Sequence, residues 1–146
     1  MRQMLLLTMV LTMSVTADEP GACQWRADWP VEVPVLKVDE FVGQAIEEQW
    51  PASPNFACSA VLVTMGCGTG CVTGGIYDHA TQRWHAFDFA VHRGLRQTRP
   101  LLSFSVDSVV LTAFGYLNEQ TEGEFRYHWN GYQLRGPLRP GEEPNE

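Results

Sequence analysis

Apolar positions along this chain repeat with two different periods, and the change falls at Pro51. Between Asp39 and Trp50, the apolar residues Phe41, Val42, Ala45, Ile46 and Trp50 fall on one face at 3.6-residue spacing. That predicts a helix with Asp39 as its N-cap and Pro51 as its stop. From Phe56 onward the period is two, and the expected elements are strands. Residues 58–65 are apolar on both faces, which predicts a central strand. Residues 72–77 form the next candidate, followed by a turn at residues 78–82. Residues 83–91 read as a returning strand, with His85, Phe87, Phe89 and Val91 on one face and Trp84, Ala86, Asp88 and Ala90 on the other. Two more strands, residues 101–106 and 108–114, flank a turn at Asp107. Residues 119–124 read as a charged loop. Before the helix, residues 18–30 form a polar lead with Trp25 and Trp29. Residues 31–35 alternate, but Pro34 lacks the donor a central strand needs.

The last hairpin carries the strongest local signal. Residues 125–129 and 132–135 flank Asn130-Gly131, the favoured pair for a two-residue type I′ turn. That turn would set Trp129 opposite Tyr132 and Tyr127 opposite Leu134. It would also set Arg126 against Arg135, where like charges repel.

These elements predict a β-rich α+β fold: an antiparallel meander, either a twisted sheet or a partly open barrel, with one N-terminal helix. The first residues, MRQMLLLTMVLTMSVTA, combine an arginine, an apolar core and a small-residue cleavage pattern. They read as a signal peptide over residues 1–17, too short to span a bilayer well. One exported domain over residues 18–135 is expected, then a Pro- and Glu-rich flexible tail over residues 136–146. The expected location is the bacterial periplasm or the extracellular space, with no stable membrane insertion.

Charge narrows the partners. The chain holds 10 Lys+Arg against 17 Asp+Glu, a net charge of −7. An acidic surface disfavours nucleic acid. A protein or cell-envelope partner is the expectation. The oligomeric state is not readable from the sequence.

All four cysteines, Cys23, Cys58, Cys67 and Cys71, follow the leader, and in an exported chain they read as two disulfides. Three pairings are open. The stretch GCGTGC at residues 66–71 is the pivot. It lacks the Gly-Lys-Ser/Thr of a phosphate loop. Its Cys-x3-Cys spacing is one longer than the redox motif, and no histidine stands at a diagnostic spacing for a thiol base or a zinc site. The favoured reading is a turn stapled by Cys67 and Cys71, with Gly68 and Gly70 free to take positive φ. Cys23 and Cys58 would then form the longer and more stabilising bridge.

The run Asn55-Phe56-Ala57, Val61-Leu62-Val63-Thr64, residues 66–71, Ile76-Tyr77-Asp78 and Ala80-Thr81 resembles a family of small uncharacterised secreted bacterial proteins. Those proteins share an N-F-A-x-x-x-x-L-V-T-x-G-C-G-T-x-C motif. The resemblance covers residues 55–135 and implies an exported domain without an assigned activity. The chain departs from the family at Cys58-Ser59-Ala60, where relatives carry Gly-His-Tyr, at Met65, which replaces a tryptophan, and at Gln82, which replaces a turn glycine. A left-handed Gln82 costs about 1 kcal/mol, so a changed turn type is expected there.

Arg93, Arg96 and Arg99, at spacing three in one loop, are the candidate anion- or partner-binding residues; solvated arginines answered by nearby acids are the competing reading. His85 is expected in the core, His128 on the surface, and Asp78 and Asp107 as turn residues. No Gly-x-Ser-x-Gly or His-Glu-x-x-His motif occurs. The sequence assigns no catalytic residue, metal ligand or cofactor. The expected function is a non-enzymatic exported binding module, inhibitor- or immunity-like, on a disulfide-stapled scaffold. The alternative is a thiol-redox or metal-binding protein using Cys67 and Cys71.

Overall fold

A computed structural model describes Cys23, residues 29–139 and residues 141–143. The expected leader (residues 1–17), Trp25 and the chain end from residue 144 lie outside the described residues. The helix forms where its pattern places it. α1 spans Glu40–Gln49, and the Asp39 carboxylate accepts from the Val42 N–H at 3.0 Å. Trp50 leaves helical geometry ahead of Pro51, because the residue before proline is pushed out of the α region.

Eight strands follow: β1 Ala60–Gly68, β2 Cys71–Asp78, β3 Arg83–Ala86, β4 Val91–His92, β5 Leu102–Ser103, β6 Val110–Leu117, β7 Thr121–Trp129 and β8 Leu134–Leu138. They form one antiparallel sheet in the order β1-β2-β4-β6-β7-β8, which does not close. The strand ladder joins its two halves through short β4, which pairs with β2 at Cys71 and Val72 and with β6 at Tyr116 and Leu117. At the far ends of the halves the facing edges carry β3 and β5, which do not pair with each other. The sheet is therefore laced at one end and splayed at the other.

One face fills the space between the halves. Leu62, Ile76, Phe89, Val91, Leu111 and Tyr127 are buried there, and Phe87, Phe89 and Tyr127 stack in sequence at 4.9 and 4.3 Å between ring centroids. The opposite face of β1 and β2 packs under α1 through Ile46, Val61, Val63 and Tyr77. Trp29 and Trp50 stack there at 5.3 Å. β1 thus has two buried faces, as its composition requires.

It is nevertheless an edge strand, not a central one. Both faces are covered by packing, and its open edge is covered by side-chain amides. Asn55 accepts from the Leu62 N–H at 2.7 Å and donates to the Leu62 carbonyl at 3.2 Å. Gln49, at the end of α1, does the same for Thr64 at 3.0 and 2.7 Å. The two carboxamides stand in for a neighbouring strand and blunt an edge that would otherwise recruit one.

Other expectations shift by a few residues. The strand over residues 83–91 is broken. Residues 87–90 lie opposite only Thr73 and Gly74, a two-residue bulge between the Gly75↔Ala86 and Val72↔Val91 pairs. Two extra residues preserve parity, so Phe87, Phe89 and Val91 keep one face. Of residues 101–106, only Leu102–Ser103 pair as a strand; the rest turn, with the Ser105 hydroxyl donating to Asp107 at 2.7 Å. The charged stretch 119–124 is mostly strand, because Asn118 and Glu119, at φ 48° and 62°, make a tight turn from β6 into β7. The turn at Gln82 keeps its left-handed residue, at φ 56°, despite the missing glycine.

The last hairpin differs most. Asn130 does not take positive φ; its side chain instead accepts from the Tyr132 and Gln133 N–H groups at 3.0 and 2.9 Å. An aspartate-like side-chain turn of this kind replaces the type I′ turn. The loop lengthens to four residues, and Trp129 pairs with Leu134 rather than Tyr132. Arg126 stands opposite Leu138 and Arg135 opposite His128, so the expected arginine pair never forms. β8 continues to Leu138, taking in the first three residues of the expected tail.

Candidate functional site

The GCGTGC stretch lies at the laced end. Cys67 and Cys71 are bridged across the β1–β2 turn with Cα atoms 5.1 Å apart, and Gly68 and Gly70 take φ of 129° and 66°. Cys23 is bridged to Cys58, Cα atoms 5.2 Å apart, and no free cysteine remains among the described residues. The sulfurs of the stapled turn are therefore neither thiolates nor metal ligands in this state. Among the described residues, no group of three or more His, Cys, Asp or Glu side chains is placed to hold a metal ion.

The arginine loop sits against that turn. The Arg93 N–H donates to the Gly70 carbonyl at 2.8 Å. Gln97 fixes the loop from inside: its side chain accepts from the Gly94 N–H at 3.1 Å and donates to the Phe114 and Arg99 carbonyls at 2.9 and 3.2 Å. All three arginines are exposed. Arg99 pairs with Glu124 at 3.7 Å and lies 5.3 Å from the Phe114 ring centroid. Arg96 and Arg99 share a shallow depression with Glu122 and Glu124, so two cations face two acids. At the next turn His92 meets Glu119 at 3.3 Å. Gln97 ties the loop to β6, and of its three arginines Arg99 is paired with an acid.

The larger concavity is at the splayed end, where sequence reasoning placed only turn and surface residues. A cleft of about 1020 Å³ opens between the two halves of the sheet. One wall carries Ser59, Asp78 and Thr81; the other carries Val109, His128 and residues 130–132 of the last loop. Asp78 ends β2 and is 3 % exposed. Its Oδ2 accepts from the Thr81 N–H at 3.1 Å and the Thr81 hydroxyl at 2.7 Å. This is the expected aspartate turn, now seen to hold a nearly buried carboxylate at the edge of a cleft. Trp129 lies on the floor at 4 % exposure, whereas Tyr132 projects from the lip at 75 %.

Ser59, His128 and Asp78 line one cleft, but no hydrogen bond links them. The Ser59 hydroxyl donates to the Ala57 carbonyl at 3.5 Å, a long contact, and His128 Nδ1 is buried without a partner. Among the described residues, no side-chain base is hydrogen-bonded to the Ser59 hydroxyl. His85 is half-buried behind this cleft, its ring edge-on to Trp129 at 5.0 Å, and its Nε2 has no partner. Burial pushes its imidazole below the ordinary value; Asp78 opposes the shift and Arg83 adds to it.

The signals for this cleft were present in the sequence but dispersed: an aspartate turn, an Asn-Gly loop tipped by tyrosine, and a serine before β1. Only the register of the two halves brings them together. No protein family, curated protein or solved structure matches this chain. Among the described residues, no helix is long and apolar enough to cross a membrane.

Proposed function

We propose that the chain is an exported, non-enzymatic binding module whose contact surface is the cleft at the splayed end of the sheet. The observation that carries this reading is the cleft's construction. Its two walls belong to separate halves of one sheet, one wall carries the nearly buried Asp78, its floor is Trp129, and its lip is the exposed Tyr132. A concave surface with an aromatic lip and a few fixed polar groups is what a recognition site needs. The two bridges favour this reading over thiol or metal chemistry at Cys67 and Cys71, because both sulfurs are already bonded to each other. The disulfides also suit an oxidising compartment.

A photo-crosslinking amino acid at position 132, compared with one at position 95 on the arginine loop, tests the assignment in cells that export the protein. Leu95 is 99 % exposed and serves as a matched surface control. A discrete adduct at 132 and none at 95 is the expected outcome. Adducts only at 95 would move the contact surface to the arginine loop. Ready alkylation of Cys67 and Cys71 under mild reduction would restore the thiol reading.

A further inference from the structure

A second cavity, of about 690 Å³, lies between the extended segment 34–38 and the β2–β3 hairpin. The sequence pattern builds it. Val33, Leu36 and Val38 pack onto the cluster under α1, while Val35 and Lys37 are exposed. Trp84, opposite Tyr77 in the β2–β3 ladder, packs onto the same cluster. Leu36, Val38 and Trp84 give the cavity apolar walls. Among the described residues, no backbone hydrogen bond ties residues 31–38 to the sheet. Side-chain packing holds this wall, so it can yield to a guest.

Tyr77 also lines the cavity and is wholly buried, yet its hydroxyl has no hydrogen-bond partner. A buried hydroxyl left unpaired costs stability and calls for a partner. Burial, with Asp78 alongside, raises the phenol above its ordinary value, so it stays a proton donor at neutral pH. Lys37 and Arg83 border the cavity from its two sides, and no aspartate or glutamate lines it. Neither cation is paired with an acid among the described residues, although acids outnumber cations 17 to 10 in the chain. Gln82, in the connecting turn, keeps a side chain on the cavity at φ 56°, where glycine would be free of strain.

We propose that this cavity binds a carboxylate carried on an apolar body, with the Tyr77 hydroxyl as its donor and Lys37 and Arg83 as counter-charges. A small aryl or alkyl acid and the carboxyl end of a peptide share that chemistry. Phosphate suits the site less, because phosphate sites gather several backbone amides or arginine forks. The volume is within the range of small-ligand pockets. The proposal does not rest on the cleft reading. Thr81 borders both spaces, but Tyr77, Lys37 and Arg83 line only this one.

Calorimetric titration of the intact, oxidised protein tests it. The probes are phenylpropionate, phenylpropionamide, an acetylated tripeptide ending in phenylalanine with a free carboxyl group, its amidated form, and inorganic phosphate. Binding of an acid that weakens with added salt is expected, with no binding of either amide. The tighter of the two acids identifies the source, a free acid or a chain end. Tyr77→Phe removes a hydroxyl that has no partner in the fold. The melting temperature should hold or rise, while affinity for the acid falls about tenfold. Lys37→Gln and Arg83→Gln, both at exposed positions, should each weaken it by about twofold. Tyr132→Ala, at the cleft lip, should leave it unchanged. Amides that bind as well as the acids would overturn the proposal. So would phosphate binding more tightly than either acid, failure of both acids, or unaltered affinity in Tyr77→Phe. Crosslinking at 132 reads the cleft separately, so either site can fail alone.

Discussion

The two ends of this sheet are closed by different means. At the laced end, backbone pairing does the work: β2, β4 and β6 are hydrogen-bonded in series, the arginine loop is tied to Gly70, and cations sit beside acids. At the splayed end no ladder joins the halves. They are held by two amide bonds, Ala57 to the Ser108 carbonyl at 3.1 Å and Cys58 to the Val106 carbonyl at 2.7 Å, and Cys58 is itself tied to the N-terminal lead by its bridge to Cys23. Ala57 and Cys58 both take positive φ, 49° and 61°, to make these contacts. Such residues persist only where the surroundings hold them, which is common beside binding sites. Closure by ladder leaves a shallow depression beside the arginine loop, whereas closure by a clasp leaves the larger cleft.

Removing the bridges one at a time puts the largest stress on that contrast. The Cys23–Cys58 bridge spans 35 residues of sequence and the Cys67–Cys71 bridge only 4. In chain-entropy terms the first contributes about 4 kcal/mol and the second about 2 kcal/mol. The Cys23→Ser/Cys58→Ser protein should therefore show the greater drop in denaturant midpoint, and it should lose the crosslinked adduct at position 132. The Cys67→Ser/Cys71→Ser protein sits where a ladder already holds the chain, and the adduct should survive. Equal losses from the two double variants would mean that the clasp and the ladder are not separate devices.

A smaller effect is expected at the β1 edge, which runs from one end to the other. Asn55 is partly buried and covers Leu62 near the clasp; Gln49 is exposed and covers Thr64 nearer the staple. Asn55→Ala strands two backbone groups away from water and should cost about 2 kcal/mol. Gln49→Ala lets water replace the amide and should cost about 0.5 kcal/mol. Urea midpoints of the two variants give the comparison directly. A reversed order would show that the edge is weakest toward the staple.

Much of this organisation was legible in the sequence where a single residue type has a single use. Asp39 and Pro51 bound the helix, the Cys67–Cys71 turn is stapled, and His85, Phe87, Phe89 and Val91 reveal the core face. What escaped was decided by competition between options of similar energy. Asn130 can supply positive φ or a side-chain acceptor, and it takes the second, which moves the hairpin register by two residues. β1 reads as central because burial is visible in composition, but the agents covering its edge are one asparagine and one glutamine with no pattern of their own. The cleft was not legible because the ladder that sets its walls against each other runs through β4, a strand of two residues.

The smallest expected effect is on acid stability, and it concerns the same seam. His85 on β3 meets Trp129 on β7, a contact between the two halves behind the cleft. Burial lowers its pKa in the folded protein, so the neutral imidazole is the form the fold accommodates. As pH falls below about 6.5, the unfolded chain takes up a proton before the folded one does. Stability therefore declines from there until the folded imidazole is itself protonated. His85→Phe keeps an aromatic ring against Trp129 and removes the titration. Its melting temperature should change less between pH 7 and pH 5 than that of the parent, while carboxylate contributions shift both proteins alike. Hydrogen exchange locates the effect. In the parent, amides of β3 should lose protection on acidification before those of β4, because the seam opens where no ladder crosses it. Simultaneous loss in both strands would mean that the laced and splayed ends unfold as one unit.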